Sequence, residues 1–258
     1  TLEKLEIEPE IIRHGKFKSA VEPYILDRMS DENRAQLASL IDDLWENVLD
    51  NISRSRKISF ENLQGIADSL SAQTAQQAKD LRLVDQVAYY DEVENDLKKK
   101  SGIADKDKIN FVSVNDYYNS ITKETAFGKD KVAVIYASGA IVSGKGQNDE
   151  IGSATLCEQI RKARRDDNIK AIVLRINSPG GDALASEVIW RETMLAKKEK
   201  PFIVSMGNYA ASGGYYIACA ADTIVAQRGT ITGSIGVFGL LFNAKNLLNN
   251  KLGVTTDT

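Results

Sequence analysis

Three short stretches built from serine, lysine and glycine could do chemistry. In GNYAASGGYYIA, residues 207–218, Ser212 stands among small residues between a hydrophobic run and a helix-like segment. A helix that starts where a buried strand ends presents unpaired backbone N–H groups and a positive dipole end, which suits a developing oxyanion. Gly213 and Gly214 would let the chain turn sharply and let a carbonyl approach with no Cβ in the way. Small-residue motifs recur by chance, and taken alone this one reads better as a helix end packed tightly on a sheet. The stretch LRINSPGGDALAS, residues 174–186, changes that balance. It sets Asn-Ser-Pro-Gly-Gly at the carboxyl end of a strand, where α/β sheets bind ligands. Pro179 fixes φ there, and Gly180 and Gly181 permit geometries that leave an N–H pointing outward. Two strand-to-helix turns on neighbouring parallel strands could aim two N–H donors at one point beside a serine hydroxyl. A phosphate-binding loop fits less well, because neither stretch has P-loop or G-x-G-x-x-G spacing.

A serine nucleophile needs a base. The chain has one histidine, His14, in a polar RHGK stretch that reads as surface. A neutral lysine is the other option, provided burial lowers its ordinary pKa of about 10.4. In GKFKSAVEP, residues 15–23, Lys18 precedes Ser19, Ala20 and Val21, an uncharged setting that could desolvate it. On these grounds Lys18 is one of several candidates, with Lys16 close behind.

These residues need elements to position them. Residues 30–56 carry Leu37, Leu40, Ile41, Leu44, Val48 and Ile52 at three- and four-residue spacing, which predicts a long amphipathic helix capped by Ser30. SFENLQGIADSL and SAQTAQQAKDLRLVD predict further helices, each opening on a serine. The lysine-rich NDLKKKSGIADKDK, residues 95–108, reads as a solvated linker, followed by INFVSV and a loop-rich stretch through TAFGKD. From residue 131 strand alternates with helix. KVAVIYASGAIV, KAIVLRI, PFIVSMG, TIVAQ and ITGSIGVFG read as strands, and SATLCEQIRKARRD, ALASEVIWRETMLAKK and GGYYIACAAD as helices. Apolar strands between amphipathic helices predict a largely parallel sheet covered on both faces. The chain thus reads as the back half of one unit joined to the front half of another.

The 258 residues carry 33 basic and 36 acidic side chains, for a net charge of −3, which removes the main electrostatic argument for nucleic acid. No run approaches the roughly 18 apolar residues of a membrane span. Cys157 and Cys219 lie in apolar, helix-like stretches without metal-ligand spacing and read as free buried thiols. The first residue is Thr1, and KLGVTTDT ends as an extended segment begins. Both features suggest a fragment whose targeting or anchoring segment lies outside it.

Together, GKFKSAVEP, NSPGG, GNYAASGGYYIA and TITGSIGV, in this order and with LRLVD at 81–85, resemble the signal peptide peptidase A (protease IV) family, in its long tandem-domain bacterial form. Arg82 stands where that family usually has glycine, far from the proposed chemistry. The resemblance implies an α/β fold of crotonase/Clp-protease-like ββα units. Residues 1–97 would be the later, mainly helical part of a first domain, 98–130 a connecting segment, and 131–258 the earlier part of a second domain. It implies a Ser/Lys dyad of Ser212 and Lys18, an oxyanion hole from the N–H groups of Gly181 and Gly213, and Ser234 orienting the lysine. No cofactor or metal is required. Substrates would be hydrophobic peptides, notably cleaved signal peptides. The family anchors in the bacterial cytoplasmic membrane through a segment absent from this chain, faces the periplasm and forms ring-shaped homo-oligomers, by resemblance tetramers. The rival expectations are a crotonase-type acyl-CoA enzyme and a catalytically silent scaffold of the same fold.

Overall fold

Alternating runs of apolar residues from 131 onward build the part of the chain that carries the chemistry. In the computed structural model, which describes residues 2–121, 128–255 and 257, the strands are β2 (Lys131–Ser138), β3 (Ala140–Val142), β4 (Glu150–Gly152), β5 (Ile169–Ser178), β6 (Phe202–Ala211), β7 (Thr223–Val225), β8 (Ile231–Gly233) and β9 (Phe238–Asn243). The first strand of the chain, β1, is Glu8–Arg13. Between the later strands run helices α6 (Ser153–Arg165), α7 (Ala183–Lys197) and α8 (Gly213–Ala218). The main sheet is parallel, in the order β2-β5-β6-β7, with β8 pairing the end of β6.

The core lies on one face of this sheet. Ile172, Leu174 and Ile176 of β5 and Phe202 and Val204 of β6 are fully buried against Leu156 and Ile160 of α6 and Ile189 of α7. Each such side chain is worth about 1.5–3 kcal/mol of burial. The opposite face is open: Val132, Val134 and Tyr136 of β2 are exposed. This corrects the expectation of a sheet covered on both faces. The strand order advances in one direction without reversing, and crossovers of a single hand then put every helix on the same side. There α6 packs on α7 and α7 on α8.

The chain divides into two compact units, residues 1–44 with 128–258, and residues 45–127. In the first unit β1 pairs antiparallel with β9, which ties the N-terminal segment to the end of the chain. The second unit is helical. It holds the later turns of α1 (Asp31–Arg56), then α2 (Phe60–Asp68), α3 (Ala75–Asp80), α4 (Tyr90–Ser101) and α5 (Val114–Ile121). Among its described residues Leu49 and Leu63 are the buried apolar ones, and an Arg56–Asp85 ion pair of 2.7 Å ties the end of α1 to the segment after α3.

Several elements differ from the sequence reading. KVAVIYASGAIV is two strands, broken at Gly139, whose φ is +105° and whose place would put a Cβ 2.0 Å from the Asp149 carbonyl oxygen. ITGSIGVFG is likewise broken into β8 and β9 by residues 234–237. The helix after residue 70 is capped by Thr74 rather than Ser71, with Gln77 closing a capping box. The lysine-rich segment is not simply a solvated linker. Its first half is helix α4, and Lys98 is buried, donating to the Asp105 carbonyl at 2.8 Å and pairing with Glu94 at 3.4 Å. Helix α5 falls in the stretch read as loop, and Thr125, Ala126 and Phe127 of that stretch lie outside the described residues. Both cysteines are free, but only Cys157 is buried; Cys219 is exposed.

Candidate active site

Strand β6 runs without a loop into Ser212 and then into α8. Ser212 therefore sits at a strand-to-helix turn with φ 52° and ψ −119°, a conformation that costs an ordinary residue about 1–3 kcal/mol. Two backbone bonds hold it: its N–H donates to the Gly233 carbonyl at 2.8 Å, and its own carbonyl accepts from the Tyr216 N–H at 2.9 Å. The sharp turn keeps the hydroxyl off the helix end, since no side-chain capping bond forms, and points it to Lys18.

Lys18 comes from the irregular segment between β1 and α1. Its side chain is only 8% exposed, and its Nζ lies 3.1 Å from Ser212 Oγ, 2.7 Å from the Ser234 carbonyl oxygen and 3.1 Å from Ser234 Oγ. No described carboxylate pairs with it, and burial alone pulls its pKa below the ordinary lysine value. The Ser234 carbonyl can only accept, so one N–H of a neutral amine must point there. With a second N–H on Ser234 Oγ, the lone pair is left for the Ser212 proton. Ser234 is not a strand residue as its sequence suggested. It follows β8 at a φ of 49°, which turns both its carbonyl and its hydroxyl to the lysine.

The turn after β5 lies against this pair. Asn177 Oδ1 accepts from the N–H groups of Asn208 and Tyr209 at 3.0 and 3.2 Å, fastening the end of β5 to β6. The N–H of Gly180 is taken by the buried Ser178 hydroxyl at 3.1 Å. Gly181 makes a parallel bridge to Ile141 in which Ile141 bonds the Gly180 carbonyl and the Asp182 N–H, both at 2.9 Å. That pattern leaves the Gly181 N–H itself directed away from Ile141. Gly213 is the first residue of α8, where an N–H has no partner within the helix. A Cβ on Gly213 would stand 3.3 Å from the Gly181 nitrogen, so the two turns are in contact.

Lys18, Gly181, Ser212 and Gly213 thus line one cleft of about 600 Å³, whose other walls include Tyr215, Tyr216, Ile235, Val237 and Phe238. Lys16 is elsewhere, exposed and paired with Glu32 at 3.3 Å, and His14 is exposed and does not line the cleft. Sequence reasoning missed Ser178, Asp182 and Ser186. Asp182 caps α7 through the Ala185 N–H at 2.6 Å, and an aspartate ahead of a helix is a signal that could have found it. Ser186 Oγ donates to the Asp182 carbonyl at 2.8 Å and fills the space where a Cβ on Gly213 would go. A hydroxyl poised on a buried amine, beside two free N–H groups at a common cleft, is equipped for acyl transfer.

Several known proteins resemble this chain over nearly its whole length. A protein named Protease 4 from Salmonella typhi is 43% identical over 99% of this chain and 42% of its own length. Protease 4 of Haemophilus influenzae is 36% identical over 99% of this chain and 43% of its own length. Serine protease SPPA, chloroplastic, of Arabidopsis thaliana is 38% identical over 99% of this chain and 38% of its own length. The chain therefore spans less than half the length of these curated relatives. A solved mutant of the 1510-N membrane-bound stomatin-specific protease is 27% identical, covers 42% of this chain and 49% of its own, and has a TM-score of 0.33. The description of peptidase family S49 matches residues 1–104 and 194–258, and the chain belongs to that family.

Proposed function

We propose that the full-length protein is a serine endopeptidase in which Ser212 is the nucleophile and Lys18 the general base. The observation that carries this reading is the 3.1 Å approach of a buried lysine, free of any described carboxylate partner, to the hydroxyl of a serine held at a strained turn. Neutral Lys18 takes the Ser212 proton as Oγ bonds to the peptide carbonyl carbon. The oxyanion is held by the Gly181 and Gly213 N–H groups, and Ser234 keeps the amine in line. The C–N bond then breaks, the lysine returns its proton to the leaving amine, and a water activated by the same lysine hydrolyses the ester.

The apolar walls of the cleft favour hydrophobic peptides, and the name of an Enterococcus faecium relative, "Putative signal peptide peptidase SppA", supports cleaved signal peptides as substrates. In this reading the protein works at the bacterial cytoplasmic membrane facing the periplasm, as a ring-shaped homo-oligomer. No helix among the described residues is long and apolar enough to cross a membrane. In this reading residues 1–97 are the later part of one domain and 131–258 the earlier part of another; the match of one family to two separate stretches, 1–104 and 194–258, is the support for a repeat. The test is digestion of an apolar signal-peptide sequence by the purified full-length protein, with products identified by mass spectrometry. Internal cleavage that disappears in Ser212→Ala is expected; cleavage that persists in that variant would refute the assignment.

A further inference from the structure

Lys18 belongs to no helix or strand, so something else must hold its main chain while its amine stays 3.1 Å from Ser212. The backbone bonds of the segment lie after Lys18: Glu22 N–H to the Ser19 carbonyl at 2.9 Å, Tyr24 N–H to the Val21 carbonyl at 3.1 Å, and the Ile25 and Leu26 N–H groups to the Glu22 carbonyl at 3.0 and 2.8 Å, around the fully buried Val21. The remaining ties come from the first turns of α1. Gln36 Nε2 donates to the Phe17 carbonyl at 3.0 Å and approaches Ser19 Oγ at 3.3 Å, so one amide grips the residues on both sides of Lys18. The same amide reaches Asn33 Oδ1 at 3.1 Å, and Asn33 Nδ2 donates to the buried Glu22 carboxylate at 3.0 Å. Glu22 also accepts from the Ser30 hydroxyl at 2.5 Å, and Ser30 in turn caps α1 through the Asn33 N–H at 3.1 Å. The two hydrogens of the Gln36 amide serve three acceptors, of which the Phe17 carbonyl is the nearest and has no other bond among those described.

We infer that Gln36 is a positioning residue for the reaction: by bracketing Lys18 it fixes where the base amine sits. This rests on the Ser/Lys reading above. Loss of the bracket frees the segment between β1 and α1, the amine spends less time at Ser212 and more in water, and a hydrated lysine holds its proton more firmly. The surrounding charges are Lys16 on Glu32 and Glu22 near Arg13, and Gln36→Ala neither adds nor removes a charge among them.

The experiment is the rate at which a fluorophosphonate phosphonylates the full-length protein, with loss of fluoride, between pH 6 and 10, in wild type, Gln36→Ala and Gln36→Glu, with thermal melting alongside. Gln36 is only half-buried, so both variants should fold. Gln36→Ala should lose about tenfold in rate at pH 7, a fraction of the hundredfold that an ångström of misplacement costs. Its acid limb should move to higher pH, so that the deficit shrinks in alkali. Gln36→Glu, which replaces the donor by an acceptor facing the Phe17 carbonyl, should lose more. Variant profiles that superimpose on wild type, or a deficit equal at every pH that tracks the unfolded fraction, would overturn the positioning role. Failure of the wild type itself to be phosphonylated would overturn the peptidase reading instead.

Discussion

Replacing Gly180 by alanine should disable the site without replacing any residue assigned to the reaction. Gly180 has a φ of +102°, so an L side chain there is strained by about 1–3 kcal/mol before any contact is counted. The added Cβ would stand 2.7 Å from the Gly213 nitrogen, 2.8 Å from Ser212 Cβ and 2.9 Å from the Ala211 carbonyl oxygen. None of these atoms is the free end of a flexible side chain. Ordinary contact begins at 3.4 Å, so the two turns must part by about 0.7 Å, carrying the Gly213 N–H and Ser212, the proposed oxyanion donor and nucleophile, with them. Losing one oxyanion donor costs about 10²–10³ in rate, and a displacement of this size at the nucleophile costs about as much. Gly180→Ala should therefore be phosphonylated about a hundredfold more slowly than wild type in a fluorophosphonate time course followed by intact-protein mass spectrometry. Gly144→Ala is the control, because Gly144 has a φ of +81° and open space around it; it should lose stability and keep its rate. A folded Gly180→Ala protein that is phosphonylated within threefold of the wild-type rate would refute the reasoning about how the turns are held together.

Three further outcomes follow from the same contacts. Because burial lowers the Lys18 pKa, the unfolded chain binds a proton that the folded chain lacks between that lowered value and about 10.4. Stability should rise with pH through this window, so chemical denaturation of wild type and Lys18→Met should show the difference moving in favour of wild type from pH 7 to 10. A parallel pair of curves would contradict a desolvated lysine. Ser234→Ala removes one contact at 3.1 Å and leaves the carbonyl contact at 2.7 Å, so it should be phosphonylated about tenfold more slowly, well short of the loss in Lys18→Ala. Glu192 is buried between α6 and α7, paired with Arg161 at 2.8 Å and Arg164 at 3.4 Å, and Arg164 Nε already has no partner. Glu192→Ala should cost about 2–3 kcal/mol in urea melts; a loss under half a kcal/mol would mean that water replaces the carboxylate.

The strands and helices after residue 131 were legible because their signal is local. Ile172, Leu174 and Ile176 alternate as a strand buried on one face, and Leu156, Ile160 and Ala163 recur at helical spacing. The two glycine turns were legible for the same reason, as each lies where such a strand stops. Chain breaks were harder, because Gly139 and Ser234 interrupt apolar runs through φ values that composition does not announce. Strand β1 escaped notice because EPEIIR contains a proline and two glutamates and becomes a strand only by pairing with Phe238–Asn243, more than 220 residues away. Covering of both sheet faces was expected from continuous apolar strands, but which side the helices take depends on strand order, a property of the whole fold.

The site divides in the same way. Ser212 could be singled out by its neighbours, whereas the uncharged residues after Lys18 set it only slightly ahead of Lys16 two residues earlier. What separates them is where the chain goes next: one amine is enclosed beside Ser234, and the other reaches Glu32 at the surface. Gln36, inside an ordinary amphipathic helix, carried no signal of its contact with Phe17 and Ser19. Contacts between residues distant in sequence decide both cases.

The central claim is that Ser212 is the nucleophile and Lys18 its base. It is tested most directly by stoichiometric labelling of the full-length protein with a fluorophosphonate, read by intact-protein mass spectrometry, beside Ser212→Ala and Lys18→Ala proteins shown to be folded. One adduct per wild-type chain, mapped to Ser212, and none in either variant at pH 7 is the predicted result. An adduct that survives Ser212→Ala, or full-rate labelling of Lys18→Ala, would contradict it.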